Sequence, residues 1–406
     1  MSTNNGFING KAVQLYIGRM IQSMPYLRAS KPHFNDQIAG KKNGQDGTSY
    51  NMILRDAGTV GDGLSLTDSD RRNVVEIEVP MKLTIKHNVM ALSTLESVVD
   101  LKDFKTEIAD TYAPKLGYHV QKSVIEDTFF DACIGAVSDT NGWLPLSKIG
   151  AAMKQIRQAA QLIGSMDPQV ETNLSINALN NWKFGSTEKF KDLYEDAYIG
   201  RFNGVEYSYC TDIPQVDGKT ISGTISSAVV EMEPTTKKKC TKLTLSSALT
   251  LKKGTPIKIA GAKACNHVGM PVSSDFIAFV QVDVNNSATV YVQRIEMQDI
   301  GSRNCYIEGA TGLADLNGKA VSNILTNGKT YYPVQVRTAD TLNYDGIELD
   351  DLASAENSSE KVGEVSMHVT KFGNGSEMKN TVRWDVAALI GICDNREVGI
   401  AYVPAE

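Results

Sequence analysis

The chain of 406 residues is 42% hydrophobic and 22% charged, enough material for two or three domains with real cores. Its formal charge of −6 argues against a protein held to nucleic acid by a chain-wide basic field. No run approaches the ~20 apolar residues of a membrane-spanning helix, and the polar start, with Ser2, Thr3, Asn4 and Asn5, lacks the apolar stretch of a signal peptide.

Residues 9–29 read as an amphipathic helix with Val13, Tyr16, Met20 and Met24 on one face, and Pro25 and Pro32 stop regular structure. A charged, glycine-rich turn follows from Gly40 to Gly47. Ser49 to Leu54 and Asn73 to Val89 read as extended, because Val75, Ile77, Val79 and Met81 alternate with Glu76, Glu78 and Pro80. The polar stretch from Gly58 to Arg72 joins them into a long hairpin-like arm. Such an arm buries little against its own domain and calls for a neighbour to cover it.

The stretch from Ser93 to Ala136 reads as the organising spine. Leu101, Phe104, Ile108 and Tyr112, then Leu116, Val120 and Val124, recur at helical spacing. Pro114 marks either a joint in one helix or the start of a second. At ~1.5 Å per residue the whole would span about 60 Å.

Leu146 to Ile163 is predicted helical, with Ile149, Met153, Ile156, Ala160 and Ile163 on one face and Ser147 as its cap. Leu174 to Ile176 is predicted as a short buried strand, followed by a short helix from Asn177 to Phe184. The segment Ile199-Gly-Arg-Phe-Asn-Gly204 is a turn leading into alternating Val205, Tyr207 and Tyr209.

From about Val216 the helix signals disappear for nearly a hundred residues. Leu243 and Leu245, then Ile257 and Ile259, flank Lys252-Lys-Gly-Thr255, and Phe276–Val284 with Ala288–Ile295 form a second pair around Asn285. Short strands between turn signals indicate an all-β module over 217–333 inserted into a mixed α/β domain, which resumes at Val334. Asp350 to Glu360 reads as an acidic surface loop, and Thr381–Ile392 with Glu397–Val403 as a closing strand pair around Asp394.

Catalytic patterns find no support. The five histidines, His33, His87, His119, His267 and His368, stand apart from one another and from cysteine at ligand spacing. No nucleophile elbow, phosphate loop or H-E-x-x-H is present. Asp62, Asp68 and Asp70 lack the glycine and distal Glu of a calcium loop and read as turn residues paired with Arg71 and Arg72. The six cysteines, at 133, 210, 240, 265, 305 and 393, form no C-x-x-C and read as reduced, mostly buried thiols of a cytosolic protein. No cofactor or metal is expected, and no enzyme activity.

The order of these parts resembles the major capsid protein of tailed double-stranded DNA bacteriophages, the Hong Kong 97 or Johnson fold, in the Salmonella-podovirus-type subgroup with an inserted β-barrel. Gly40 to Thr48 and Asp62-Gly-Leu-Ser-Leu-Thr67 resemble its extended loop; Thr94 to Ile108 and Ala113 to Ile125 resemble its spine. Ile199 to Tyr207 is similar to the turn before the insertion, and Leu243-Thr-Leu245 with Lys253 to Gly261 to strands of the barrel. Arg383-Trp-Asp385, Gly391 and Glu397 match the final hairpin. Arg396 departs from the family's usual proline before Glu397, and Asp46-Gly-Thr48 from a more usual Gly-Asp-Thr.

The resemblance implies an α+β capsid fold: an N-terminal arm over 1–39, an extended loop and flanking strands over 40–90, and a peripheral domain with the spine over 91–145. The axial domain would occupy 146–216, the inserted barrel 217–333, and returning axial and peripheral strands 334–406. It further implies pentamers and hexamers closing an icosahedral head around packaged DNA in the virion, with head assembly in the cytoplasm of the bacterial host. Scaffolding protein, portal and a decoration protein would be partners, and contact with the DNA weak and non-specific. Arg55, Asp56, Asp62, Asp68, Asp70, Arg71 and Arg72 are expected at subunit interfaces. An encapsulin-type nanocompartment shell is the alternative within the same fold.

Overall fold

The structure, a computed structural model, describes residues 10–28, 49–55, 76–93, 108–139, 142–170, 174, 198–298, 301–351, 355–374 and 379–405. The polar stretch from Gly58 to Arg72, most of the predicted spine before Ile108, and the predicted helix from Asn177 to Phe184 lie outside the described residues.

The first helix, α1, covers Gly10–Gln22 and buries Val13, Tyr16 and Met20, as its spacing predicts. Pro25 does not end regular structure but opens the single turn α2, Pro25–Arg28, because a proline at the first helical position loses no hydrogen bond. Strand β1 runs over Ser49–Arg55 and β2 over Glu76–Ser93. The next helix, α3, covers Asp110–Thr128, with Ile108 and Ala109 in a π turn directly before it. The helix passes through Pro114, which forgoes only the bond to the Asp110 carbonyl. Leu116, Val120 and Val124 form its buried stripe. The 18 residues of β2 at ~3.3 Å each reach about 60 Å.

Past α3 the chain turns into β3, Ile134–Val137, so the end of the predicted spine is a strand. Helix α4 spans Trp143–Ile156, beginning earlier than expected because Pro145 is tolerated in a first turn whose amides need no partner. Ser147 lies inside it and is not its cap; Gly142 precedes it without a side-chain cap. Ala160 and Ile163 are not helical. Ile163 sits in β4, Leu162–Met166, all five of whose residues are buried. Leu174 is helical rather than extended.

The chain continues with β5, Tyr198–Phe202, and β6, Val205–Tyr209. Asn203 (φ 51°) and Gly204 (φ 81°) join them in a turn with both central residues left-handed, the geometry that follows the strand twist. Then come β7 (Val216–Asp217), β8 (Ile225–Met232), β9 (Lys239–Leu251), β10 (Pro256–Cys265) and β11 (Pro271–Phe279). β12 (Val284–Val292), β13 (Cys305–Tyr306) and β14 (Val321–Ser322) follow. The last strands are β15 (Thr330–Thr338), β16 (Leu342–Ile347), β17 (Glu356–Val362), β18 (Val365–Asn374), β19 (Lys379–Ile392) and β20 (Val398–Pro404). The second part of the predicted acidic loop, from Glu356 to Glu360, is thus in strand β17.

The chain divides into two compact units. The first comprises residues 1–50, 81–127 and 342–391. Here β19 lies between β2 and β18, β17 pairs with β18 at the edge, and β16 also pairs with β19. One face of this sheet carries α1: Tyr16 stacks on buried Trp384 with ring centroids 5.1 Å apart. α3 crosses α1 at Gly117, where a β-carbon would come within 2.6 Å of the Met20 carbonyl oxygen. Arg19–Asp110 (2.8 Å) and Lys82–Asp127 (2.8 Å) pair charges at the helix surfaces.

The second unit comprises 51–80, 128–341 and 392–406, and β1 neighbours β2 in strand order. Its larger sheet runs β3-β20-β15-β4-β6-β5, with β7 beside β15. α4 covers it with Leu146, Ile149, Met153 and Ile156 against Val334, Val336, Ala401 and Val403. Between the paired strands β7 and β15 lie β8 to β14, in two further sheets, β12-β9-β8 and β11-β10-β13 with β14 beside β10. They close over a second apolar core of Leu243, Ile257, Phe276, Val290 and Ile295, among others.

Three predicted pairings differ. β9 and β10 do not pair; Lys252-Lys-Gly-Thr255 is a corner between sheets. β11 and β12 likewise lie in separate sheets, and Asn285 sits within β12 rather than at a turn. β19 and β20 also belong to different sheets, joined by the short 3-10 turn Asn395–Glu397, so the closing segment is not a hairpin.

Candidate functional site

Of the residues expected at interfaces, Arg55 is the last residue of β1, while Asp56, Asp62, Asp68, Asp70, Arg71 and Arg72 lie outside the described residues. The described residues instead offer two polar constellations and several exposed apolar side chains.

The first constellation is a row across the first unit's sheet. Ser359, His368, Asp385 and His87 stand directly opposite one another on β17, β18, β19 and β2. Residues in register share a face, so sheet pairing alone brings together a serine, two histidines and an aspartate. The geometry is not that of a proton relay. Ser359 Oγ lies 2.8 Å from His368 Nδ1, and the nearest Asp351 oxygen is 3.8 Å from the same nitrogen. A relay needs the hydroxyl and the carboxylate on opposite nitrogens. Asp385 is held by Arg383, whose Nε donates at 2.8 Å. Among the described residues no group of three or more His, Cys, Asp and Glu is arranged to hold a metal.

The second constellation belongs to the second unit and centres on the 395–397 turn, which sequence reading treated only as a loop. Arg396 is 7% exposed. Its Nε donates to Asp394 Oδ1 at 2.8 Å and its Nη2 to Asp394 Oδ2 at 2.6 Å. Nη1 donates to the carbonyls of Asn266 (3.1 Å), Gly301 and Arg303 (3.4 Å). Burial opposes the guanidinium's charge, but Asp394 outweighs it and the pKa is raised. Arg396 thereby ties the β19–β20 turn to the β10–β11 turn and to the segment before β13.

Glu397 beside it accepts from Thr338 Oγ1 (2.5 Å) and Arg157 Nη1 (3.2 Å), while Arg157 also reaches Asp340 (3.1 Å). Burial pushes Glu397 above its ordinary 4.5, against Thr338 and Arg157. For Asp340 burial acts in the same direction, but Arg157 outweighs it and holds the carboxyl below the usual range. A carboxyl raised in the fold stabilises most below its unfolded pKa, and that contribution is lost as pH rises through the folded value. Asp340 contributes in the opposite sense, above its unfolded pKa, and loses it as pH falls. Glu397→Gln is accordingly expected to keep its acid-side melting temperature towards neutrality better than the wild type does. Melting curves from pH 4 to 8 check this; parallel declines in both proteins would refute it.

All six cysteines are free, five of them buried. Burial raises the thiols, Cys240 and Cys265 to about 11 and Cys393 to about 12, so none is a ready thiolate at neutral pH. The Asn203–Gly204 turn, which superficially resembles a phosphate cradle, is engaged by protein: Lys154 Nζ donates to Asn203 O at 2.8 Å and Asn203 Nδ2 to Ser147 O at 3.2 Å.

The corner 252–255 is built as tightly as the Arg396 site. Gly254 (φ 84°) lies against Phe130, where a β-carbon would come within 2.4 Å of the ring, and its carbonyl accepts from Tyr402 OH at 2.5 Å. Asp283 accepts from Lys252 Nζ and from the Lys253 amide, each at 2.8 Å. The Gln281 side-chain amide donates to Phe130 O at 2.8 Å. The Arg396 site and this corner each fix one group of strands on another.

The exposed apolar side chains are the other distinctive feature. Ile85 (48%) and Val89 (46%) project from β2 with His87 between them, and Phe372 is exposed on β18. On the second unit Val229, Met232, Val268 and Met270 are about half exposed or more. Scattered single apolar residues are ordinary on a surface; a stripe along one strand is less so.

No protein-family model matches this sequence, and no curated protein matches it. Among solved structures the chain is similar to one from Mycobacterium phage Che8, at 9% identity and a TM-score of 0.40, over 93% of this chain and 90% of that one. It is also similar to the capsid of the cyanophage P-SCSP1u (8%, TM-score 0.41, 88% of this chain and 83% of that one). The capsid of Ralstonia phage GP4 is comparable (6%, 0.41, 88% and 83%). At this depth the likeness carries no assignment of function, which rests on the chain's own features.

Proposed function

We propose that this chain is the major capsid protein of a tailed bacteriophage, assembling as pentamers and hexamers into an icosahedral head that encloses double-stranded DNA. The observation that carries the reading is β2, an 18-residue strand whose open face presents Ile85, His87 and Val89 to solvent. A strand far beyond the usual ~5–6 residues, with apolar side chains left outside its own core, is suited to burial by sister copies. In a shell each contact can be modest, because a subunit held by many neighbours gains avidity without one strong interface. The charge of −6 fits a container that does not grip its DNA.

In this reading residues 1–39 form the arm, 40–90 the extended loop with its interface residues, 91–145 the peripheral domain, and 146–216 with 334–406 the axial and returning parts. Residues 217–333, entered at β7 and left at β15, form the inserted β-barrel domain. Scaffolding protein and portal would act during assembly, and the virion would be the chain's location.

Electron microscopy of the purified chain, alone and co-expressed with a scaffolding protein, is expected to show closed icosahedral particles. A chain that remains monomeric under both conditions refutes the reading.

A further inference from the structure

The outer side of α3 carries a line of positive charge that nothing in its own unit neutralises. Lys115, Tyr118, His119 and Lys122 are all exposed. Their spacing of three and four residues puts them on one face of the helix, opposite the buried stripe of Leu116, Val120 and Val124. No acidic residue occurs from Thr111 to Ile125. The carboxylates near the two ends are already engaged: Asp110 pairs with Arg19 (2.8 Å) and Asp127 with Lys82 (2.8 Å).

Among the described residues Lys115, His119 and Lys122 form no ion pair. His119 meets Tyr118 edge-on, with ring centroids 5.5 Å apart. Helix stability does not account for this pattern. Cations favour a helix in its last turn, and the last turn of α3 has none. Pairs three or four residues apart stabilise a helix surface, yet Lys115 has no acidic residue at either spacing. Glu126 is four residues beyond Lys122, but the two are not paired.

We propose that this stripe docks the sugar-phosphate backbone of duplex DNA. Charge decides the kind of partner: two unpaired lysines stand out on a chain whose total is −6. Shape decides between a nucleic acid and an acidic protein. The face is the convex side of a helix, and Tyr118 (37% exposed) is its one exposed large hydrophobic side chain. A folded protein partner would find no apolar centre to bury there, whereas a phosphate backbone asks only for cations and donors. Lys115 and Lys122 are seven residues apart, roughly 10 Å along the helix, a span that takes in about three phosphates of one strand. Such a contact reads no sequence and is weak in each subunit, as a container's hold on its contents must be. The choice of DNA rests on the shell reading; the charge pattern stands without it.

Fluorescence anisotropy of a short DNA duplex titrated with the purified chain tests the proposal. Lys115→Gln/Lys122→Gln is expected to weaken binding about fivefold or more at low salt. It should also lower the steepness of log Kd against log salt by about two, one for each phosphate contact removed. Glutamine is as good a helix former as lysine, so α3 is kept. Lys148→Gln/Lys219→Gln removes the same charge from exposed positions of the second unit and should change binding by less than about twofold. Equal losses in the two double variants would reduce the effect to net charge and overturn the stripe. Polyglutamate that displaces the duplex at equal charge would overturn DNA as the partner in favour of an acidic protein. Closed particles of Lys115→Gln/Lys122→Gln with undiminished duplex affinity would overturn the stripe and leave the shell reading intact. A wild-type chain that stays monomeric but binds duplex through these two lysines would uphold the stripe and refute the shell.

Discussion

Arg396→Met is expected to destabilise the second unit by about 3–5 kcal/mol, the cost typical of removing one partner of a buried ion pair. The substitution leaves the Asp394 carboxylate without its guanidinium and deprives the carbonyls of Asn266, Gly301 and Arg303 of their shared donor. Removing the stranded charge as well, in Asp394→Asn/Arg396→Met, should recover a large part of the loss, because an uncompensated buried charge costs more than an absent pair. Denaturant unfolding of the three variants beside wild type measures both effects. A loss below ~1 kcal/mol in the single variant would mean that the pair behaves as a solvent-exposed one. The same experiment tests whether the β10–β11 turn owes its position to a residue some 130 positions later in the chain.

Trp384→Ala is expected to be comparably severe in the first unit. Trp384 is fully buried on β19, and its ring lies 5.1 Å from that of Tyr16 at an interplanar angle of 6°. Truncating a buried tryptophan costs about 3–5 kcal/mol through lost transfer energy and the cavity left behind. The stack is also what seats α1 on the sheet, so limited proteolysis should cut within 10–22 far sooner in this variant. Trp384→Phe, which keeps an aromatic face, should lose about half as much or less. Equal protease resistance in Trp384→Ala and wild type would show that α1 is held by other contacts.

Much of the local structure was legible from spacing. The face of α1 with Val13, Tyr16 and Met20, the α3 stripe of Leu116, Val120 and Val124, and the period-two run into β2 all correspond to buried residues or regular elements. Pro25, read as a stop, instead opens the turn α2, where a proline loses no hydrogen bond; Pro114, read as a joint or a new start, lies within α3, which gives up a single bond there. The end of the predicted spine was misread for another reason: Ile134 to Ala136 fits a helical stripe and a buried strand equally well, and a short apolar run cannot distinguish them.

Of the second unit's constellations little could be foreseen. Asp394-Asn-Arg396 reads as an ordinary polar turn, and nothing near it in sequence announces that Arg396 is buried against carbonyls at 266, 301 and 303. The row Ser359, His368, Asp385 and His87 exists only because three strand registers bring the four residues opposite one another.

The amino-acid order by itself determined the elements: which residues of each helix or strand turn inward follows from repeats of two or of three to four, and those repeats are local properties of the backbone. Tertiary structure alone decided the pairings. That β9 joins β8 and β12 while β10 turns to β11, and that β19 and β20 part into different sheets, depends on where Gly254 lets the chain lie against Phe130 and where Arg396 satisfies distant carbonyls. A strand's hydrogen-bonding edge is the same for every partner, so the choice among partners passes to side chains that meet only when the chain has folded.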